Sequence, residues 1–369
     1  MRQLKIRKFG PLDHIDLALD KSCNVVIGEQ AIGKSTLAKM IYFSLKMRDY
    51  LLECLSNPSG VKLKGGQYDW FLRYIRRRFM GCFGTTKHMR PFEISFDYDC
   101  SQTGNKGKQL ILRLKEKFVH ITFSPVMKSE INSLFKRAEE LYAQRDSVQL
   151  LNVYEDVIQD LQASQLIRQH LRQAVNVLFD IREDILYIPA GRSVLATLSE
   201  QLQEIDTTDT SQMDLPLKEF ISLIQRLKKR FGMSMEGLVE QYTKLEARHI
   251  RKQDVRLAID TIKKILKAEY IKEQDVEKLY YDNEKWVKLM YASSGQQESL
   301  WILLVLFQRI LQQQETFLIV EEPEAHLFPV ALLGSGAYRL VGQGASIVHD
   351  GDGGAVYVLY KKQGVYYDA

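Results

Sequence analysis

The segment Gly28-Glu29-Gln30-Ala31-Ile32-Gly33-Lys34-Ser35 fits the phosphate-binding pattern G-x-x-x-x-G-K-[ST], and Thr36 follows it. The apolar run from Cys23 to Ile27 predicts a short buried strand, and Ser35 to Leu45 predicts a helix with an apolar face. In such loops backbone N–H groups surround the phosphates, the lysine reaches the β- and γ-phosphates, and the serine hydroxyl binds Mg²⁺. A helix that begins after the loop adds a favourable dipole for an anion. This order predicts a nucleotide-binding loop rather than a chance glycine-rich turn before a lysine.

A second motif lies near the end of the chain, where the apolar run from Thr316 to Val320 leads into Glu321 and Glu322. A continuous apolar run predicts a strand buried on both faces, and ligands of open α/β sheets bind beyond the carboxyl ends of their strands. There Glu321 would hold Mg²⁺, directly or through water, and Glu322 would polarise the attacking water. Taken alone, the run also fits a strand that enters an acidic, solvated turn.

The third motif, Ala292-Ser293-Ser294-Gly295-Gln296-Gln297-Glu298, lies before the helical run from Ser299 to Leu311. A Ser-Gly-Gln turn that opens a helix offers a hydroxyl, backbone N–H groups and the helix dipole to a phosphate. By itself such a turn often only caps a helix. Its position shortly before the acidic strand favours the phosphate contact.

The three motifs, in this order, resemble those of ATP-binding-cassette ATPases, and in particular the SMC, RecF and OLD branch. The resemblance implies an α/β P-loop NTPase, with a mixed sheet, an antiparallel β lobe and an inserted helical subdomain. In that branch the third motif binds the γ-phosphate of ATP held by the other subunit, so two ATP molecules are sandwiched in a head-to-tail homodimer. The residues that would make this contact are Ser293, Ser294, Gly295 and Gln296.

The chain is most similar to the AAA15 and AAA21 kind of bacterial ATPase, several of which act in anti-phage defence (Septu, some retrons and Gabija). The similarity lies in the opening from Leu4 to Leu12, in Ile188-Pro189-Ala190-Gly191-Arg192, and in the run from Glu321 to Leu327. It is specific over residues 1 to 45, 185 to 193 and 290 to 329, and elsewhere it rests on order and spacing. The resemblance implies a Mg²⁺-dependent, nucleotide-driven switch that controls a separate effector, such as a nuclease.

In this interpretation Lys34 and the other loop residues hold the phosphates, Ser35 and Glu321 hold Mg²⁺, and Glu322 orients the water. Several assignments stay open. His349 follows the strand predicted at residues 345 to 348, and it is either the family's γ-phosphate-sensing histidine or an incidental loop residue. Arg192 either contacts a phosphate or the dimer interface, or pairs with a carbonyl or carboxylate inside the fold. The family's further Mg²⁺-contacting glutamine has three candidates, Gln67, Gln102 and Gln109.

Three segments are expected along the chain. Residues 1–127 form the N-terminal part of the ATPase head, 128–290 a mainly helical insertion interrupted by a strand at 185–189, and 291–369 the C-terminal part of the head. Periodicity predicts two strands over 2–27, a first helix running toward Leu55 and a helix over 68–80. It further predicts an antiparallel meander over 92–123, helices over 128–180 and 194–281, and a terminal hairpin over 355–367.

Composition and charge restrict the classes of protein. The chain of 369 residues is 45% hydrophobic and 26% charged, as is common for globular proteins, and it has no membrane-spanning run or signal-peptide core, so a cytoplasmic protein is expected. Its four cysteines share no C-x-x-C spacing, which argues against a zinc site or a disulfide framework. The net charge is +5, with basic clusters at 73–78, 226–230, 248–252 and 263–264. These clusters either track a nucleic-acid backbone or are solvated helix faces.

Two rival functions remain. One is a DNA-repair or chromosome-maintenance ATPase that acts on duplex DNA through the basic clusters. The other is an ATP-binding scaffold or sensor with little hydrolysis. The glycine-broken stretch from Ala331 to Leu340, where the family has a long helix, favours the sensor, while the intact Glu321-Glu322 pair argues against it.

Overall fold

The computed structural model describes residues 2–19, 23–27, 31–56, 66–98, 107–149, 156–192, 213–230, 234–246, 252–273, 276–282, 284–322, 345–348 and 356–361. The chain divides into two compact units. The first comprises Met1–Asp20 and Ala31–Arg182, and the second comprises Lys21–Gln30 and Glu183–Ala369. The division into three segments stays a prediction.

In chain order, the strands are β1 (Gln3–Phe9), β2 (Leu12–Ala18), β3 (Cys23–Ile27), β4 (Glu93–Asp97), β5 (Gln109–Lys115), β6 (Phe118–Phe123), β7 (Asp184–Ile188), β8 (Glu269–Glu273), β9 (Val276–Tyr280), β10 (Trp286–Lys288), β11 (Thr316–Val320), β12 (Ala345–Val348) and β13 (Val356–Lys361). The α-helices are α1 (Lys34–Leu45), α2 (Met47–Leu55), α3 (Gly66–Phe83), α4 (Pro125–Gln149), α5 (Asp156–Phe179), α6 (Leu215–Arg230), α7 (Met235–Glu246), α8 (Lys252–Leu266) and α9 (Ser294–Gln312).

The first unit is built on an antiparallel sheet of order β2-β1-β4-β5-β6, with helices α1 to α5. Strands β4 to β6 confirm the predicted meander, and their residues alternate between buried and more exposed positions as a sheet with one covered face requires. Aromatic rings fill the space between this sheet and α3. Phe9 meets Phe92 at 4.8 Å between ring centroids, and Phe79 packs against both.

The prediction of two strands over residues 2–27 is wrong. β1 and β2 form a hairpin in which Phe9 pairs with Leu12, and β3 is a separate third strand that belongs to the second unit. The physical reason is pairing, because β3 is bonded along both sides to strands from the end of the chain. The first helical run is also divided: α1 ends at Leu45, and α2 begins at Met47.

The second unit contains a sheet of order β12-β3-β13-β11-β7. β3 pairs parallel with β12, β11 pairs parallel with β7, and β13 pairs antiparallel with both β3 and β11. Hence β3, β7, β11 and β12 all run in one direction and end at the same edge. All five residues of β11 are buried, which confirms the predicted buried strand.

Two predictions fail in this unit. The helical stretch expected to reach residue 281 ends with α8, and β8, β9 and β10 follow as a separate antiparallel sheet. Tyr270 and Leu279 lie opposite each other and are both buried, so sheet pairing covers apolar groups that the prediction had assigned to one face of a helix. The first strand of the predicted terminal hairpin is confirmed as β13, but the hairpin pairing is wrong, because β13 is bonded on its two sides to β3 and β11. The second strand of that hairpin, at residues 364–367, lies outside the described residues.

Helix α9 lies in the core of the second unit. Its Trp301 and Phe307 are fully buried, in one cluster with Ile259 and Ile262 of α8 and Val320 of β11. The burial of these large side chains fixes the position of the first turn of α9, where the Ser-Gly-Gln motif lies. Among the described residues, no helix is both long and apolar enough to cross a membrane.

Candidate functional site

The phosphate-binding pattern lies between a strand and a helix, as predicted. β3 ends at Ile27, and α1 begins at Lys34 with Gly33 as its N-cap. Residues 28–30 lie outside the part of the chain that the structure describes. The first bond of the helix runs from the Leu37 N–H to the Gly33 carbonyl at 2.9 Å. The N–H groups before Leu37 therefore precede the first helical hydrogen bond, at the end where the dipole favours an anion.

Gly33 occupies a position that only glycine suits. Its φ of 101° is left-handed, and a Cβ added there would lie 2.7 Å from Pro11 Cγ and 2.8 Å from Leu12 Cδ2. The turn between β1 and β2 therefore packs directly against the start of α1. Lys34, the next residue, is buried, while Ser35 is exposed.

We expect Gly33→Ala to lower the free energy of unfolding by about 2–4 kcal/mol, since left-handed strain and overpacking add. Gly84→Ala is the matched control. Gly84 has φ 77°, and a Cβ there meets nothing within 4 Å among the described residues, so this variant carries the backbone strain alone. Its expected loss is about 1 kcal/mol. Thermal or urea unfolding measures both, and equal losses would contradict the close contact at Gly33.

The parallel strands β3, β7 and β11 end at the same edge of the sheet, where the acidic motif follows β11. Val358 of β13 pairs with Val25 of β3 and with Val320 of β11, and Val320 pairs with Ile188 of β7. At ~4.8 Å between neighbouring strands, β3 and β11 lie about 10 Å apart on either side of β13. β3, which precedes the phosphate loop in the chain, and β11, which precedes the acidic pair, therefore end at the same edge of the sheet.

The end of β12 lies at the same edge, because Val348 pairs with Val26 of β3. His349, the predicted γ-phosphate sensor, directly follows Val348 and lies outside the described residues. The stretch from 323 to 344 lies outside them as well. The role of His349 stays a prediction.

The carboxylate of Glu321 is buried, and one of its two oxygens accepts a hydrogen bond. The residue is 4% exposed, and Oε2 accepts a hydrogen bond from the Ala190 N–H at 3.3 Å. Oε1 is buried and has no hydrogen-bond partner among the described residues. A buried carboxylate oxygen left unpaired is costly, and carboxylate oxygens are the ligands that Mg²⁺ prefers. Glu321 therefore fits the predicted metal-binding role.

Glu322 has an unusual backbone. Its φ is 43°, in the left-handed region that residues other than glycine seldom adopt, and its side chain is half-buried. Such strained positions persist only where the surrounding structure holds them, and they concentrate at functional sites. Glu322 is the residue predicted to orient the attacking water, and its backbone conformation therefore depends on contacts with neighbouring residues.

Arg192 is one of the residues that hold the backbone of Glu322. Nη1 donates to the carbonyls of Pro189 and Glu321, each at 2.7 Å, and Nη2 donates to the carbonyl of Glu322 at 2.9 Å. Nε lies 3.2 Å from Oε2 of Glu298 in α9, and that oxygen also accepts from the Arg192 backbone N–H at 3.0 Å. These contacts support the second of the two sequence interpretations, in which Arg192 pairs within the fold.

The Ser-Gly-Gln turn begins α9 with a capping box. The Ser293 hydroxyl accepts from the Gln296 N–H at 3.4 Å, and the Ser293 N–H donates to Gln296 Oε1 at 3.2 Å. Gln296 Nε2 also donates to the Leu266 carbonyl at 2.8 Å. Ser293 and Gln296 are thus used in shaping the turn, whereas Ser294 is exposed and Gly295 half-buried at its outer side.

Glu298 lies in the third motif but had no role predicted from the sequence, and Gln297 was expected only as a member of the motif that binds the γ-phosphate. Gln297 Nε2 donates to the carbonyls of Leu289 and Met290, at 3.1 and 3.0 Å, and so fixes the approach to α9. The burial of Glu298 depends on Arg192, which lies 106 positions away, so no local pattern indicated it.

The glutamine candidates remain undecided. Gln67 Nε2 donates to Glu139, and Gln109 Nε2 donates to Asp97 Oδ1 at 2.7 Å, so both amides bond to side chains of the first unit. Gln102 lies outside the described residues. The assignment of the Mg²⁺-contacting glutamine stays open.

Comparison with known families identifies the chain. A family model described as AAA ATPase domain (AAA_15) matches residues 1–332, which include the phosphate loop, the Ser-Gly-Gln turn and the acidic strand. A comparison with curated proteins gives no match. An ATPase domain implies nucleotide binding and hydrolysis, with ATP as the nucleotide. Because the match covers most of its length, the chain belongs to the AAA ATPase domain family.

Proposed function

We propose that the chain is a Mg²⁺-dependent ATPase in which Glu321 holds the metal and Glu322 activates the water. The observation that carries this proposal is the buried Oε1 of Glu321, which has no hydrogen-bond partner among the described residues and lies at the sheet edge where the strand before the phosphate loop also ends. A carboxylate oxygen at this position can bind a hard cation such as Mg²⁺, and the next residue supplies a second carboxylate for proton transfer.

In the proposed reaction Lys34 and the loop N–H groups hold the β- and γ-phosphates. Ser35 and Glu321 would hold Mg²⁺, which would supply charge neutralisation at the phosphate oxygens. Glu322 accepts a proton from water as the water oxygen bonds to the γ-phosphorus. The bond between that phosphorus and the bridging oxygen breaks, and ADP and inorganic phosphate leave. The chain's contribution is chiefly to position these groups.

We further propose a head-to-tail homodimer of the SMC, RecF and OLD kind, in which Ser294 and Gly295 complete the ATP site of the partner. Support comes from the cap of α9: Ser293 and Gln296 bond to each other, while Ser294 is exposed at the first turn. ATP would close the dimer and hydrolysis would open it, so that the nucleotide acts as a switch. The partner controlled by this switch is proposed to be a separate effector, such as a nuclease in anti-phage defence.

Direct action on duplex DNA is the second candidate, and ion pairs weaken its support. Three of the basic clusters each contain a cation paired with a carboxylate: Arg78 with Glu53 at 2.9 Å, Lys228 with Glu277 at 2.9 Å, and Lys263 with Glu236 at 2.8 Å. Of the fourth cluster, residues 248–251 lie outside the described residues. Cations paired within the fold add less to a phosphate-binding surface than cations facing solvent. Partner control is therefore the preferred function.

Steady-state phosphate release tests the proposal. We expect the parent protein to hydrolyse ATP with Mg²⁺, to stop when EDTA removes the metal, and to respond little to duplex DNA. A strong rise with DNA, falling with added salt, would favour the DNA-repair function. ATP binding without turnover would favour the sensor, and the absence of both would overturn the proposal.

A further inference from the structure

We propose that Arg192 is a positioning residue for the two catalytic acids, and that Glu298 on α9 holds it in place. The pair would thus connect the helix of the Ser-Gly-Gln turn to the acidic strand. This inference rests on the proposed ATPase function, and it adds two residues to the site that touch neither nucleotide nor metal in that proposal.

The guanidinium group of Arg192 contacts the backbone of both acids. It donates to the carbonyls of Glu321 and Glu322, which are consecutive residues, at 2.7 and 2.9 Å. The two bonds together define the direction of the peptide plane between the acids and of the one that follows. They therefore support the left-handed backbone of Glu322, whose φ is 43°. Loss of the bonds would allow that backbone to relax and its carboxylate to move.

The loop that contains Arg192 contacts the two acids through both backbone and side-chain groups. The Ala190 N–H bonds to the carboxylate of Glu321, while Arg192 bonds to the backbones of both acids. The Pro189 carbonyl accepts from the same guanidinium at 2.7 Å, so the loop is held to its own arginine. The loop after β7 thus holds the residues that follow β11 through hydrogen bonds.

Arg192 and Glu298 form a buried pair of opposite charges. The side chains of Arg192 and Glu298 are 0% and 1% exposed, and a buried charge is tolerated only when it is paired and hydrogen-bonded. Lysine keeps the charge of arginine, but it is a single ammonium group without the planar fork that reaches several acceptors at fixed angles. The site therefore requires arginine in particular, and Arg192→Lys removes positioning while it retains the charge.

Glu298 belongs to the same helix as the Ser-Gly-Gln turn. It lies one helical turn after Ser294, the residue proposed to contact the partner's ATP. A displacement of this first turn would move Glu298, and through Arg192 it would move the backbone of the acids. The pair offers a physical route by which ATP held in trans adjusts the position of Glu322.

The test compares Arg192→Lys with Arg309→Lys. Arg309 is a matched control because it also links α9 to β7, through Asp184 at 3.0 Å, but at the opposite end of that strand. We expect Arg192→Lys to bind ATP within about threefold of the parent and to lose on the order of 100-fold in kcat, as small misplacements of reacting groups do. Arg309→Lys should keep the parent kcat.

A second readout does not depend on activity. Hydrogen exchange of the backbone amides over residues 316–322 should be faster in Arg192→Lys than in the parent and unchanged in Arg309→Lys. Glu298→Gln keeps an oxygen acceptor for Arg192, and it should lose less kcat than Glu298→Ala. The two Glu298 variants also test the positioning role of Arg192 if Arg192→Lys folds poorly.

The outcomes separate the two proposals. If the parent turns over ATP and Arg192→Lys matches it in kcat and in exchange, the positioning role is wrong and the ATPase stands. A rise in KM alone, or faster exchange spread evenly over the second unit, would also overturn positioning. If the parent does not turn over ATP, the proposed function fails, and local exchange over residues 316–322 alone decides whether Arg192 holds the acids.

Discussion

Glu322→Gln is expected to lower the rate of ATP hydrolysis by about 10³-fold while ATP binding is retained, because the amide cannot accept the proton of the attacking water. Glutamine has nearly the same shape as glutamate, and Glu322 contacts Arg192 through its backbone carbonyl, which the substitution keeps. The change should therefore leave the fold and the metal-binding Glu321 in place. Phosphate release and equilibrium ATP binding, measured on the same preparation, separate the two effects.

Glu315→Gln provides the matched control for this variant. Glu315 is exposed just before the other end of β11, so the same chemical change there should leave turnover at the parent level. If Glu322→Gln hydrolysed ATP as fast as the control, Glu322 would not be the base.

The same variant should reveal the proposed dimer. With hydrolysis blocked, ATP stays bound, and we expect sedimentation to show a dimer in Glu322→Gln with ATP and Mg²⁺ that is absent without nucleotide. A monomer under both conditions would contradict the ATP-sandwich arrangement, but it would leave the assignment of Glu322 intact.

Lys34→Ala is expected to weaken ATP binding on the order of 100-fold, since hydrogen bonds from a charged donor contribute about 1.5–3 kcal/mol. Lys34 is the first residue of α1 and is buried, so its side chain is held near the helix N-terminus rather than extended into solvent. Titration with a fluorescent ATP analogue measures the loss.

Lys39→Ala on the same helix is the control, because it removes an equal charge in the next turn, and it should bind the analogue like the parent. A thermal melt of both variants shows whether the fold is retained. Equal binding by Lys34→Ala and the parent would remove Lys34 from the site.

Local sequence patterns were sufficient for the elements that surround the nucleotide loop. The apolar run of β11, the strand–loop–helix order around Gly33 and the meander of β4 to β6 were all predicted, because each depends on residues close together in the chain. Hydrophobic periodicity and the special backbone freedom of glycine are local properties, so a single sequence displays them.

Pairing between distant strands was not predictable in the same way. The sequence alone indicated strands near the end of the chain, but their order was decided by hydrogen bonding to β3 and β11, which placed β13 between these two. Strands β8 and β9 were predicted as helix, because no glycine or proline interrupts them and their apolar residues fit both periods.

The sequence by itself determined which residues could carry the chemistry: a phosphate loop ending in Lys34 and Ser35, and an acidic pair after a buried strand. Tertiary structure alone decided what supports the acids. Arg192 reaches Glu298 across 106 positions and Glu321 across 129, and such contacts arise only when parallel strands end at the same edge of a sheet. Motifs display local chemistry, whereas burial and pairing depend on which distant segments the fold brings together.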